Sequence, residues 1–297
     1  MKTVQNFTTG RASLVLLIIP LVVYLSAFYL YPLIYSLYLG FFKWSLGDPN
    51  RIFVGLQNYE RALFDSQFRI AFVNTLVFVA GAVTIELILG MSIALLLNKE
   101  TKTMEILRTV VLLPTVLTPL VVALTWKALL HPDLGVITYY LRSLGINIGR
   151  GLTVERSTAM LSLILVDVWQ WTSLVAIILL AGLKGLPREP YEAAIVDGAS
   201  GWQLLRYITL PLLRPTLLVA LVIRGMDALK IFDSVFAITH GGPGTATTTM
   251  NFHIFKVGIE QLQIGYASAL SNFFLVFSVV VGVIVVHFLY FKKGGTG

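Results

Sequence analysis

Apolar residues gather into six long runs separated by polar intervals, at about 14–39, 70–97, 106–130, 160–183, 212–238 and 266–290. Each run has at least the roughly 20 residues that a helix needs to cross a bilayer. The pattern predicts an all-α integral membrane protein with six transmembrane helices. The first run is longer than the roughly 7–15 apolar residues of a cleavable signal, so it reads as a retained span. Pro20 and Pro32 are expected to kink it or mark its ends, because proline removes a backbone donor. In the third run Pro114 and Pro119 either kink the helix or unwind it, and unwound backbone at that depth is tolerated only beside protein or water.

Most of the polar intervals are ordinary loops, but the one at 184–215 has internal design. Pro190 suits the first turn of a helix, with Glu189 and Glu192 where carboxylates favour the dipole. That helix runs to about Val196, and Gly198 can take a positive φ to end it. Ser200 and Gln203 then form an S-x-x-Q capping box opening a second helix with Trp202, Leu204, Leu205, Tyr207 and Ile208, which Leu210-Pro211 is expected to stop. Such a hairpin is too short and polar to span lipid. It suits either a groove in another protein or a resting place among lipid headgroups.

Composition agrees with the pattern: 57% of residues are hydrophobic and only 12% charged, against about 25% charged in soluble domains. The formal charge of +7 does not indicate nucleic acid, since the basic residues are scattered at span ends rather than aligned in a stripe. With no cysteine, disulfides and thiolate metal sites are excluded. Six spans place both termini with the loops at 98–105 and 184–215. That side carries eleven Lys and Arg, including Lys2, Arg11, Lys292 and Lys293, and the other side nine. The richer side is expected to be cytoplasmic. The Gly294–Gly297 tail is left out of the reading.

Within 184–215, Glu192-Ala193-Ala194, Gly198, Ile208 and Leu210-Pro211 match an EAA-x3-G-x9-I-x-LP spacing. This signature resembles that of membrane subunits of ATP-binding-cassette importers. LLAGLKGLP before it, IFDSVFAITHGGPGTAT after it, FVGLQNYERAL and GYASALS are similar to recurrent stretches of the maltose-type carbohydrate permeases. The Gly241-Gly242-Pro243 element is similar to the first of two unlike permeases that such importers pair.

The resemblance implies one permease domain over 1–297, in the cytoplasmic (inner) membrane of a bacterium or archaeon. The 184–215 loop would be a cytoplasmic coupling helix, docked into an ATPase through Glu192, Ala193, Ala194, Asp197 and Gly198. Implied partners are a second permease, two copies of the ATPase, an extracytoplasmic sugar-binding protein, the lipid bilayer and a sugar, with no nucleic acid. No cofactor is expected on this chain, because ATP and Mg belong to the ATPase. Extra amino-terminal spans and a large external insertion, found in the maltose permease, are absent from the sequence, so contacts to a binding protein are expected from short loops.

Four acidic residues, Glu86, Asp167, Asp227 and Asp233, fall inside apolar runs, where ionisable groups are costly and face a bundle interior or a wet cavity. Arg224, Asp227, Lys230 and Asp233 recur every third position on the fifth run. They form either a self-neutralised ladder or, in their upper members, part of a sugar site, since carboxylates accept from hydroxyls and a guanidinium donates to them. Matched by position to the family, the substrate residues are Thr115, Pro119, Asp167, Gln170, Trp171, Arg224, Asp227, Ala228 and Ile231. Trp171 either stacks on a sugar or sits at a membrane interface.

No Walker lysine follows the GGPGTATTT stretch, and neither H-E-x-x-H nor G-x-S-x-G occurs, so an ATPase or a membrane hydrolase is not supported. An ion-coupled secondary transporter using Glu86 and Asp167 gives no reason for the EAA loop. A scaffold that only recruits a partner gives none for buried charge in three spans. Trehalose, maltose, other di- or oligosaccharides, a polyol and a glycerol phosphate all fit as substrate.

Overall fold

The computed structural model describes residues 11–290. Lys2, Lys292, Lys293 and the Gly294–Gly297 tail lie outside them. The chain falls into two compact units, one of residues 1–65 with 254–275 and the other of 66–253 with 276–297. Among the described residues, five helices are long and apolar enough to cross a membrane, and a sixth span results if a bent pair counts as one.

In the first unit, Arg11–Leu25 continues through a π-helical turn, Ser26–Leu30, into Tyr31–Leu39. Neither proline ends this span. Pro32 follows a widened turn in which Tyr31 N–H donates to Ser26 O, five residues back. That register moves away the carbonyl with which a proline ring would clash and leaves no donor missing. From Leu16 to Ile34 the apolar side chains of the span lie exposed, as expected of a helix turned toward lipid or another membrane chain. A small hairpin, β1 (Phe42–Lys43) with β2 (Ile52–Phe53), follows, with Asp48 Oδ1 accepting from Asn50 N–H in its turn. The buried Asn58 amide ties the hairpin down by donating to Gly40 O and Phe42 O.

The second unit is built on the second span, Ser66–Leu97, and the fourth, Ala159–Lys184, which lie along one another. Close approach rests on small residues: a Cβ on Gly90 would sit 2.6 Å from Val175 Cγ1 and one on Gly81 2.8 Å from Ile164 Cδ1. Against this pair the fifth span packs at Gly182, where a Cβ would meet Thr216 Oγ1 at 2.6 Å. Ala94, Leu97, Val175, Leu179, Leu180, Leu213 and Ala220 form the shared core. Without hydrophobic drive between helices in lipid, such small-residue seams hold a membrane bundle together.

The third span takes the unwound of the two forms its prolines allow, and the fifth departs from the sequence reading. The third is two helices, Lys102–Val116 and Pro119–Leu129, bent by 90°. Pro119, not Pro114, breaks it: a residue before proline is driven out of the helical region, and Thr118 has φ −67°, ψ 140°. Pro114 stays inside the first of the two helices. The fifth span begins earlier and ends earlier than expected, running Gly201–Ala228. Leu210-Pro211 does not stop it. A π-helical turn, Leu204–Thr209, precedes the proline and Leu210 N–H donates to Leu205 O, repeating the device before Pro32.

The helix ends at Ala228, and the carbonyls freed beyond it find partners elsewhere: Asn251 Nδ2 donates to Lys230 O at 2.8 Å and Thr249 Oγ1 to Ile231 O at 3.4 Å. Lys230 and Asp233 therefore lie off the helix that carries Arg224 and Asp227, so a continuous four-member ladder does not form and the upper pair stands apart.

Candidate functional site

Arg224 lies one turn before the end of the fifth span and is completely buried. A guanidinium at that depth must be paired or it is strongly unfavourable. Here it binds three carboxylates. Nε and Nη2 donate to Glu86 of the second span at 2.7 and 2.9 Å, Nη2 also to Asp167 of the fourth at 2.7 Å, and Nη1 to Asp227 at 2.5 Å. The fork on Glu86 is the bidentate geometry that makes arginine the strongest carboxylate partner. The Trp171 ring closes another side, its centroid 5.0 Å from Cζ.

One guanidinium thus joins three spans. Glu86 and Asp167 are buried with it, whereas the Asp227 side chain is 54% exposed. Arg224 itself does not face open space. Asp227, held in place by Arg224, is the member that emerges. Glu86 was visible in the sequence as an ionisable residue in an apolar run but was not assigned to the site. The signal that could have placed it there is the need of a lone buried carboxylate for a counter-charge, which Arg224 supplies.

Around the break in the third span, Gln170 is buried and its Nε2 donates to Leu117 O at 3.1 Å, filling an acceptor that the missing helical turn leaves open. Thr115 Oγ1 donates to Gln170 O at 3.0 Å and also meets the Ser173 hydroxyl. Gln170 and Thr115 therefore hold the bend, while Pro119 is exposed on it. Ala228 is buried at the helix end and Ile231 is half-buried just beyond it.

The 184–215 interval folds as its sequence suggests in its first half. Helix Glu189–Val196 has Pro190 in its opening turn; Gly198 has φ +81°, and Ala199 N–H closes back on Ala194 O at 2.9 Å. Ser200 and Gln203 cap reciprocally, Gln203 N–H to Ser200 Oγ at 3.4 Å and Ser200 N–H to Gln203 Oε1 at 2.7 Å. From there the chain runs unbroken into the fifth span. Glu192, Ala193 and Asp197 are exposed and Ala194 is half-buried. The hairpin tip also presents Val196, 86% exposed, and Trp202, 70% exposed.

The Gly241-Gly242-Pro243 segment forms a tight loop locked onto the second span. Gly241 has φ +79°, and a Cβ there would lie 2.6 Å from the Phe252 ring, so only glycine fits. Asn74 Nδ2 donates to Thr245 O and Thr248 O at 2.8 and 3.0 Å, and Thr75 Oγ1 accepts from Met250 N–H at 2.9 Å. Among the described residues, no group of three His, Asp or Glu is placed to hold a metal ion.

Residues 86–291 match the family described as binding-protein-dependent transport system inner membrane component. A probable ABC transporter permease of Sinorhizobium fredii is 38% identical over 278 residues, covering 93% of this chain and 86% of its own. The trehalose/maltose transport system permease protein MalF of Thermococcus litoralis is 36% identical, with 89% of each chain covered. Among solved structures, a bacterial ABC transporter involved in the import of the acidic polysaccharide alginate superposes with a TM-score of 0.81, covering 95% of this chain and 96% of its own. At 23% identity that likeness concerns the fold.

Proposed function

Since the chain belongs to the family of binding-protein-dependent transport system inner membrane components, we propose that it passes a neutral sugar across the membrane as one of two permeases, driven by a separate ATPase. The observation that carries this reading is the continuity of Gly201–Ala228, which starts at an exposed hairpin and ends at a buried charge cluster. A device for receiving motion and a polar group at membrane depth share one helix.

The hairpin is the ATPase contact. Glu192, Ala193, Ala194, Asp197 and Gly198 form its docking face, and the exposed Val196 and Trp202 beside them give it an apolar anchor. Interfaces draw most of their affinity from such a buried aromatic centre. Hairpin and termini are cytoplasmic, in keeping with the Lys and Arg bias.

At the other end, Asp227 and Trp171 meet the substrate, with Asp167 behind them. An exposed carboxylate on a spanning helix belongs beside a watery path, and it accepts from sugar hydroxyls. Arg224 positions it. Thr115, Pro119, Gln170, Ala228 and Ile231 shape the bent third span and the helix end that border the same path. Trehalose or maltose, which the Thermococcus litoralis relative carries by name, leads as substrate class, ahead of a polyol. A second permease, paired ATPases and an extracytoplasmic sugar-binding protein complete the assembly, and ATP and Mg reside on the ATPase.

Reconstitution in liposomes with these partners tests the reading. Trehalose or maltose uptake is expected only with binding protein outside and ATP inside, and to disappear with a hydrolysis-dead ATPase. Uptake that continues with the dead ATPase, driven by a proton or sodium gradient, would contradict it.

A further inference from the structure

The hairpin meets the fifth span through one polar contact that no signature residue supplies. Tyr191, in the first helix, donates its hydroxyl to Thr209 Oγ1 at 3.0 Å. Thr209 closes the π-helical turn and is buried, and its own hydroxyl proton goes to Leu204 O at 3.2 Å. The threonine hydroxyl is thereby used in both directions, as acceptor from Tyr191 and as donor to Leu204. The bond bridges the elbow at Gly198, which local backbone bonds close and against which no other part of the chain packs: nothing lies within 4 Å of where a Cβ on Gly198 would stand.

A cavity of about 820 Å³ lies between the first helix and the end of the second span, bordered by Leu95, Asn98 and Glu100 of the latter, by Arg188 and Glu192, and by Tyr191 and Thr209 themselves, so the bond spans one wall of it. The hairpin is thus bonded to the fifth span and separated from the second.

We propose that Tyr191 and Thr209 form a clasp that makes the docking helix and the fifth span move as one lever, so that force on Glu192 is delivered to Arg224 and not lost in flexing at Gly198. The inference rests on the reading of the hairpin as the ATPase contact. Tyr191 and Thr209 are positioning residues: neither touches substrate, and neither is needed for the ATPase to bind. The π-helical turn fits this role, because it places the Thr209 side chain under the first helix at the point where Pro211 would otherwise force a break, and such turns concentrate at functional positions.

The test compares Thr209→Val, Thr209→Ser and Tyr191→Phe in the reconstituted importer, with sugar taken up and ATP hydrolysed measured together. Valine keeps the shape of threonine without its hydroxyl, and serine keeps the hydroxyl. The expected result is that Thr209→Val and Tyr191→Phe bind the ATPase normally and hydrolyse ATP while sugar moved per ATP falls about fivefold, the weight of one hydrogen bond between neutral groups. Thr209→Ser restores the ratio. The double variant Tyr191→Phe with Thr209→Val should be no worse than either single one, since both remove the same bond.

An unchanged ratio in Thr209→Val and Tyr191→Phe would overturn the clasp, as would a ratio lowered equally in Thr209→Ser. A fall in hydrolysis and uptake together, at constant ratio, would also overturn it, showing a role in folding or docking. If wild-type protein gives no ATP-dependent uptake, the failure belongs to the proposed function instead.

Discussion

Replacing Arg224 by leucine is expected to destabilise the folded protein by about 3–5 kcal/mol, the cost of removing one partner from a buried ion pair. The cause is in what remains. Glu86 and Asp167 are buried and lean on this one guanidinium, and with leucine in its place they lose the positive charge they are bonded to. The unfolding midpoint of the detergent-purified protein reads the effect. Arg224→Lys should fall between, because an ammonium keeps the charge but cannot fork onto Glu86. Combining Arg224→Leu with Glu86→Gln and Asp167→Asn should recover much of the loss, since the stranded charges are removed. Asp227→Asn is the contrasting case: its half-exposed side chain predicts a midpoint near wild type and reduced sugar uptake. An Arg224→Leu protein that melts with wild type would show that the cluster does not hold the three spans together.

A second large effect is expected at the hairpin tip. Trp202→Ala should weaken ATPase association roughly 30-fold, corresponding to about 2 kcal/mol for an aromatic anchor, and Glu192→Lys should also weaken it. Gly198→Val should act differently. Its φ of +81° costs a β-branched residue about 1–2 kcal/mol, which reshapes the elbow and impairs coupling. In Trp202→Ala and Glu192→Lys the altered side chain does not touch the shared core, so their unfolding midpoints should stay near wild type, whereas Gly198→Val should melt somewhat lower. Binding of the ATPase to permease in nanodiscs is the measurement. Affinity unchanged within twofold in Trp202→Ala would remove the tip from the contact.

How much of this was legible in the sequence depended on where the determining interaction lay. Local chemistry read well. The capping box at Ser200 and Gln203 and the positive φ of Gly198 follow from residue types at short spacing, and the structure has both. The second and fourth spans begin and end close to their apolar runs. The errors fall where a remote side chain decides. Apolar composition continues past Ala228, but the helix stops there, and the carbonyls of Lys230 and Ile231 just beyond accept from the remote side chains Asn251 and Thr249. Unwinding of the third span was one of two forms left open by its prolines, and what decides it is again remote: Gln170 stabilises the bend from another helix.

Proline misled in a more instructive way. Pro211 looked like a stop because an ordinary α-turn cannot accommodate it. A π-helical turn can, and nothing in LLRYITLP announces that register. The consequence is functional: the second arm of the hairpin is not a separate element beside the fifth span but its first turns. Glu86 shows the remaining gap. A carboxylate in an apolar run calls for a partner, but which partner depends on how spans 138 residues apart in sequence come together.

If the clasp holds, the hairpin and the fifth span move as one body between ATPase and sugar path. Spin labels at Glu189 and Ile223, both exposed, and a second pair at Glu189 and Glu100, measured in the reconstituted importer with and without ATP, test it most directly. The account predicts a constant distance from 189 to 223 across nucleotide states and a changing one from 189 to 100, as the hairpin moves over the adjoining cavity. A changing distance from 189 to 223 with a constant one from 189 to 100 would contradict it, because the hairpin would then be anchored to the second span and the lever would be broken.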